Sequence, residues 1–170
     1  MKKTNFRKLL AMTAAVSTLS MMLATGAGAE SFAADNTSAS SSALEPGALT
    51  AAPPQLFSPL SISGNYLYLS NGNSNISAIG NGQLQVNADT TAKSVVDNIK
   101  AYAVVQRYTG TSWVNVNDTT FSRNNADYVV GDAVFTGVKG FYYRVACTHS
   151  ITKGGLFEQS VEYSGYVLAY

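Results

Sequence analysis

Apolar and polar residues alternate one by one along parts of the second half of the chain. Between residues 83 and 89, Leu84, Val86 and Ala88 take every second position, with polar residues between them. Successive side chains of a β-strand point to opposite faces, so this alternation predicts a strand with one face in a core. The inner face of that strand is therefore assigned from the sequence.

Residues 141–151 alternate in the same way. Phe141, Tyr143, Val145 and Cys147 share one side, which places the only cysteine of the chain in the core. The same period runs from Val161 to the end of the chain, and further strands are predicted over residues 66–70, 99–108, 112–117 and 128–135. Residues 91–98 are ambiguous, because their apolar positions also fit one short helical turn.

Turn signals rich in glycine and asparagine separate these strands. They are Asn71-Gly72-Asn73, Asn81-Gly82, Thr109-Gly110-Thr111, Gly131-Asp132, Lys139-Gly140 and Gly154-Gly155. Seven or eight strands in the 111 residues from position 60 onward predict an all-β domain, a single immunoglobulin-like antiparallel β-sandwich. A small closed β-barrel is the alternative architecture.

The first 59 residues have a different composition. Lys2, Lys3, Arg7 and Lys8 precede an uncharged run that ends in Ala27-Gly28-Ala29, so residues 1–29 are predicted to be a signal peptide cleaved after Ala29. Cleavage after Ala33 is a second option, and an uncleaved membrane anchor is the alternative to both. Residues 30–59, rich in serine, alanine and proline, are predicted to be a disordered linker before the domain at 60–170.

Charge and composition exclude several classes of function. The chain carries a net charge of +1, and the seven basic and ten acidic residues that follow the signal peptide give −3. This chain therefore lacks the excess of basic residues that is typical of nucleic-acid-binding proteins. One cysteine allows no intramolecular disulfide, and one histidine allows no multi-histidine metal site. We predict a secreted protein without a cofactor, whose oligomeric state the sequence leaves open.

His149, the only histidine, is the first candidate for chemistry. A nearby hydroxyl and a carboxylate such as Asp97 would complete a nucleophilic triad, and Cys147 offers a second nucleophile on the same side of the strand. No G-x-S-x-G motif supports a hydrolase, however. The simpler interpretation places both residues in the core, so we predict no catalytic residue and no enzyme activity.

Carboxylates offer a second candidate. Asp127 and Asp132 flank a short segment where calcium binding is conceivable, but EF-hand spacing is absent. Aspartates beside glycine and asparagine are typical of turns, where they bond nearby backbone groups. We therefore predict no metal site.

Trp113 supports a binding function. It follows a turn, and alternation puts it with Asn115 and Asn117 on one side, opposite Val114 and Val116. If the valines lie inside, Trp113 lies outside, where it can stack on a sugar ring with Tyr108 and Asn115 beside it. The alternative is that Trp113 packs over its own sheet. We predict a ligand-binding site formed by Trp113, Tyr108 and Asn115.

The chain also resembles a family of small exported proteins of Gram-positive bacteria without an assigned function. The resemblance rests on three stretches that start at Phe57, Gln106 and Gly140, the last continuing to Gly155. It implies secretion and one small β domain, and it carries no catalytic residue. Fibronectin-type domains share a tyrosine-bearing strand like that at Tyr143, although Lys139-Gly140 replaces their usual proline-glycine.

These observations together predict a non-catalytic extracellular or cell-wall-associated binding domain. Its partner would be a cell-wall glycan or an extracellular protein, with no nucleic acid involved and no membrane span after signal cleavage. A secreted bacteriocin-like or toxin-like protein is the first alternative, and a small hydrolase using His149 is the second.

Overall fold

The computed structural model describes residues 44–54, 62 and 64–170. The predicted signal peptide, its cleavage site at Ala29 and most of the predicted linker lie outside the described residues. The described part is all-β, as predicted, and contains no helix. Its strands are β1 (Leu69–Gly80), β2 (Gln83–Tyr108), β3 (Trp113–Thr136), β4 (Tyr142–Lys153) and β5 (Leu156–Leu168).

All five strands belong to one antiparallel sheet. They lie in the order β1, β2, β4, β5, and β3 pairs with β2 off this path. The long strand β2 pairs with β1 along its first part, from Gln83 to Ala92, and with β4 along its second part, from Asn98 to Arg107. Strand β3 pairs with both parts of β2, so β2 organises the whole sheet.

The sheet curls because β2 is irregular near its middle. Pairing with β3 is interrupted between Thr91 and Val96, and Asn125 on the facing part of β3 has a positive φ of 50°. Leu84 and Val86 before this interruption share one apolar cluster with Ala103 and Val105 after it. The two halves of the curled sheet therefore cover a common interior, where burial of apolar side chains is the main source of stability.

The sheet has five strands instead of the predicted seven or eight, because two predicted turns and the ambiguous segment at residues 91–98 lie inside strands. Residues 91–98 continue β2 rather than form a helical turn, Gly72 lies within β1, and Gly131 lies within β3. The two glycines allow close packing instead of turning the chain. A Cβ at Gly72 would lie 2.3 Å from the His149 ring, and one at Gly131 would lie 2.0 Å from the Phe121 ring.

The other four predicted turns are confirmed. Residues 81–82, 109–112, 137–141 and 154–155 connect consecutive strands. Gly82, Gly110, Gly140 and Gly154 all have positive φ angles, a conformation that glycine adopts without steric penalty.

Residues 44–54, which belong to the predicted linker, contact the loop before β4. The Leu49 N–H donates to the Gly140 carbonyl oxygen over 2.7 Å, and Pro53 is buried. A Cβ at Gly140 would meet the Leu49 side chain at 2.7 Å. This stretch is therefore held against the loop that carries Gly140.

Candidate functional site

The hairpin between β2 and β3 positions the candidate site. The Thr109 N–H donates to the Ser112 carbonyl oxygen over 2.9 Å, and the Ser112 N–H donates to Thr109 Oγ1 over 3.2 Å. These bonds close a tight turn and place Tyr108 directly opposite Trp113 in the strand register. Paired residues share a face, and the two ring centroids are 5.2 Å apart with a tilt of 49°.

Strand β4 contributes a cation to this face. The guanidinium carbon of Arg144 lies 4.4 Å from the centroid of the Trp113 ring and 4.5 Å from that of Tyr163 on β5. A guanidinium stacked on aromatic rings is attracted by their negative faces. Arg144 therefore joins residues of β3 and β5 that are not neighbours in the sheet.

A line of side-chain amides connects the same strands. Arg144 Nε donates to Gln106 Oε1 over 2.8 Å, and Gln106 Nε2 donates to Asn115 Oδ1 over 2.8 Å. The register explains this arrangement, because Gln106 lies opposite Arg144 on one side and opposite Asn115 on the other. We call the six residues Gln106, Tyr108, Trp113, Asn115, Arg144 and Tyr163 the Trp113 surface.

The Trp113 surface carries one charged side chain, that of Arg144. Within the described residues the one ion pair joins His149 to Glu162, so Arg144 has no carboxylate partner there. Burial lowers the pKa of Arg144, and the charge of Tyr163 opposes that change. Trp113 and Arg144 are half-buried and Asn115 is exposed, which leaves parts of the stacked groups open to a ligand.

The structure brings together the three residues predicted from the sequence, with differences in exposure. Tyr108 is only 7% exposed and packs against the Trp113 ring. Val114 and Val116, expected inside, are 36% and 44% exposed. A register shift between Val105 and Gln106 changes the phase of β3 at this point, and β3 has no strand on its other side among the described residues.

Three members of the surface were missed by sequence reasoning. Gln106, Arg144 and Tyr163 lie 7, 31 and 50 residues from Trp113 in the chain. The alternation in residues 141–151 already put Arg144 on the outer face. Only the strand register, which the alternation does not contain, shows that Arg144 stands beside Trp113.

His149 and Cys147 are completely buried, as the core interpretation predicted. His149 Nδ1 is 2.8 Å from Thr90 Oγ1, and His149 Nε2 is 3.2 Å from Glu162 Oε2. Asp97, the carboxylate considered from the sequence, instead accepts the Gly154 N–H over 2.7 Å. The structure thus joins a hydroxyl and a carboxylate to the His149 imidazole, but they belong to Thr90 and Glu162, which the sequence did not single out.

A substrate has little access to Thr90, His149 and Glu162. Thr90 and His149 have no exposed surface, and Glu162 is 5% exposed. Burial raises the pKa of the neighbouring Cys147 to about 12, with further increases from the negative charges of Glu162 and Asp89. A thiol with that pKa is protonated at neutral pH and is a poor nucleophile.

The carboxylates considered for calcium form no ligand cluster. Asp132 Oδ1 accepts a hydrogen bond from Asn87 Nδ2 over 2.8 Å. Across residues 44–54, 62 and 64–170, the structure contains no group of three or more histidine, cysteine, aspartate or glutamate side chains arranged to hold a metal ion. The same part of the chain contains no helix long and apolar enough to span a bilayer.

Comparison with known proteins adds no relative. No family model, no curated protein and no solved structure matches this chain.

Proposed function

We propose that the protein is a non-catalytic extracellular or cell-wall-associated binding domain that recognises a glycan through the Trp113 surface. The observation that carries the proposal is the stacking of Arg144 between the rings of Trp113 and Tyr163, at 4.4 and 4.5 Å from their centroids. Arg144 is half-buried and has no carboxylate partner among the described residues, so its positive charge is available to a ligand that contacts the surrounding rings.

The chemistry of the surface fits a sugar. The parts of the Trp113 and Tyr163 rings that Arg144 does not cover offer apolar contact to the C–H groups of a pyranose, while amides and a guanidinium offer hydrogen bonds to its hydroxyls. Arg144 and Gln106 are already oriented by their mutual hydrogen bond of 2.8 Å. Oriented side chains lose less conformational entropy when a ligand binds.

Export and the finer fold belong to the same proposal. The basic start, the uncharged run and the small residues at Ala27 and Ala29 support secretion by a Gram-positive cell, and so does the resemblance to small exported proteins. An immunoglobulin-like sandwich is supported by the shared apolar cluster that joins both halves of the curled sheet. Within it, the bends of β2 and β3 would divide each long strand between two layers.

A pull-down on insoluble glycans tests the binding function. Purified full-length protein is mixed with peptidoglycan, chitin or cellulose, and the bound fraction is measured for wild type, Trp113→Ala and Phe157→Ala. Phe157 is a matched control because it is an aromatic residue, 58% exposed, on β5. We expect Trp113→Ala to lose binding at least about tenfold, as hot-spot aromatic residues do when truncated, and Phe157→Ala to retain it. Equal binding by both variants, or no wild-type binding to any glycan, contradicts the proposal.

A further inference from the structure

The guanidinium of Arg144 makes few of the hydrogen bonds that it can donate. A guanidinium has five N–H donors and no acceptor. Among the described residues its one hydrogen bond runs from Nε to Gln106 Oε1, over 2.8 Å. The two Nη atoms have no protein partner there, and neither is enclosed, since the buried unpaired atoms include Nε of Arg107 but no atom of Arg144. The N–H donors of both Nη atoms are therefore accessible to solvent and to a ligand.

Two aromatic rings and one amide hold this guanidinium in place. Its carbon atom lies 4.4 Å from the centroid of the Trp113 ring and 4.5 Å from that of Tyr163. Rings stacked on a guanidinium cover its faces, whereas its N–H donors lie in its plane and point outward from the edge. Because Gln106 occupies the Nε side of that edge, the Nη side is the part that a ligand can reach.

No carboxylate of the described residues neutralises this edge. Asp118 lies on the same outer face of the sheet, opposite Val104 in the register, but it forms no ion pair with Arg144. Glu162 is buried and pairs with His149 instead. The positive charge beside the two rings is thus left for an anion from outside the described part of the chain.

A carboxylate fits this edge better than a phosphate does. Its two oxygens lie in one plane and accept two parallel N–H···O bonds from a guanidinium. Its single negative charge also matches the single positive charge of the Trp113 surface, whereas a phosphate monoester carries about −1.5 to −2 at pH 7. Hydrogen bonds between charged groups are roughly twice as strong as those between neutral groups. An acidic sugar therefore gains more from Arg144 than a neutral sugar does.

We propose that the preferred ligand of the Trp113 surface is an acidic glycan whose pyranose rings carry a carboxylate, as in a uronic acid. This inference rests on the proposed glycan-binding function and assigns the selection of charge to Arg144. The carboxylate accepts two hydrogen bonds from the Nη edge of Arg144, and the sugar ring contacts the parts of Trp113 and Tyr163 that the guanidinium leaves uncovered. A neutral sugar keeps the ring contacts and lacks the ion pair.

Titration of the full-length protein with matched monosaccharides tests this proposal. Trp113 is the only tryptophan, so its indole N–H gives a single nuclear magnetic resonance signal that reports on the site. Glucuronate and glucuronamide are added at constant ionic strength, and they differ only in the charge of one substituent on the same ring. We expect glucuronate to bind at least about tenfold more tightly, because hydrogen bonds to charged groups contribute that much. Acetate, which lacks the ring, and glucose 6-phosphate should both bind more weakly than glucuronate.

Arg144→Gln is the decisive variant. Arg123→Gln is its matched control, because Arg123 is exposed on β3 and its replacement changes the net charge of the protein equally. The ratio of glucuronate affinity to glucuronamide affinity should fall to about one in Arg144→Gln and stay at about tenfold or more in Arg123→Gln. This ratio separates the selection of charge from any general weakening of the surface. An equal fall in both variants overturns the proposal.

The wild-type protein decides the question if Arg144→Gln does not fold. Glucuronamide binding as tightly as glucuronate overturns the selection of charge and leaves the glycan-binding function standing. Acetate or glucose 6-phosphate binding as tightly as glucuronate overturns the assignment of a carboxylate on a sugar ring. An indole signal that shifts with none of the sugars overturns both this inference and the proposed function.

Discussion

His149 lies between two polar partners inside an apolar interior. Thr90 Oγ1 donates to the Lys100 carbonyl oxygen over 3.0 Å, which leaves its lone pairs to accept a hydrogen bond from His149 Nδ1 at 2.8 Å. On the other side, His149 Nε2 and Glu162 Oε2 are within hydrogen-bonding distance of each other, at 3.2 Å. His149 therefore depends on Thr90 and Glu162 for its hydrogen bonds, since it has no exposed surface of its own.

Replacing Thr90 by valine should destabilise the domain without changing its shape. The variant keeps the side-chain volume but leaves His149 Nδ1 without its partner, so we expect a loss of about 1–3 kcal/mol in the free energy of unfolding. Urea denaturation gives this value. Thr91→Val is the control, because Thr91 is half-buried on the opposite face of β2. If the two variants are equally stable, the buried network contributes nothing measurable.

Gly72→Ala should also destabilise the domain, through crowding. The added Cβ would lie 2.3 Å from two atoms of the buried His149 ring, which has little room to move. We expect a loss of about 1–3 kcal/mol, the usual effect of overpacking a core. Gly165→Ala on β5 has no atom within 4 Å of the new Cβ and should be neutral or slightly stabilising. Thermal denaturation of both variants measures the difference, and a Gly72→Ala protein as stable as Gly165→Ala contradicts the packing.

Cys147 should make stability depend on pH in the alkaline range. Its pKa is raised from 9.0 to about 12 in the folded protein, first by burial and then by the charges of Glu162 and Asp89. Above pH 9 the unfolded chain loses this proton while the folded chain keeps it, so the contribution is complete below pH 9 and is lost as pH rises toward 12. We expect wild type to lose more stability than Cys147→Ala between pH 8 and 10.5, measured by urea denaturation. Parallel curves for the two proteins would exclude this contribution.

Among the secondary-structure elements, the start of β5 is connected to the segment before β1 by hydrogen bonds to Glu158. Its carboxylate accepts N–H groups from Leu67, Tyr68 and Leu69, the last two over 2.9 and 2.8 Å. Burial by itself raises the pKa of Glu158, but these three donors and nearby Lys93 outweigh it, so the pKa is lowered. The charged carboxylate is therefore the form that the folded protein prefers.

Glu158→Gln should loosen this attachment selectively. We expect faster amide hydrogen exchange at residues 67–69 in the variant, and the same change in wild type when the carboxylate is protonated. A lowered pKa means that the contribution is present above the unfolded value of about 4.3 and is lost as pH falls through the folded pKa. Asp127→Asn, an exposed carboxylate on β3, is the control. Unchanged exchange at residues 67–69 in Glu158→Gln contradicts the role of the carboxylate.

The sequence predicts which residues of a strand face the core, but it predicts only some of the turns between strands. Glycine marks a true turn at Gly82 and Gly110, where φ is 74° and 100°, but it marks a close contact at Gly72 and Gly131. Both kinds of glycine look alike in the sequence. What separates them is the ring of His149 or Phe121 that lies across the sheet, and that information depends on pairings distant in the chain.

For the whole molecule, the limit of sequence reasoning was the register of the sheet. Cys147 was correctly placed in the core from local alternation, since that property needs only neighbours. Thr90 and Glu162 were not connected to His149, because they lie 59 and 13 residues away in sequence. Arg144 was likewise not connected to Trp113. Sites in antiparallel sheets are assembled across strands, so their members are found only when the pairing is known.

The same pairing predicts that the two faces of β2 act independently. Gln106 and Arg107 are neighbours on β2, yet Gln106 belongs to the Trp113 surface, while Arg107 lies opposite Tyr143 on the inner face of the sheet. Because alternate residues of a strand face opposite sides, a change on one face leaves the contacts of the other in place. We therefore expect Arg107→Gln to be retained on the glycan like wild type in the same pull-down in which Trp113→Ala loses binding. A loss of glycan binding in Arg107→Gln would mean that β2 couples its two faces, for example through the irregular pairing between Val105 and Gln106.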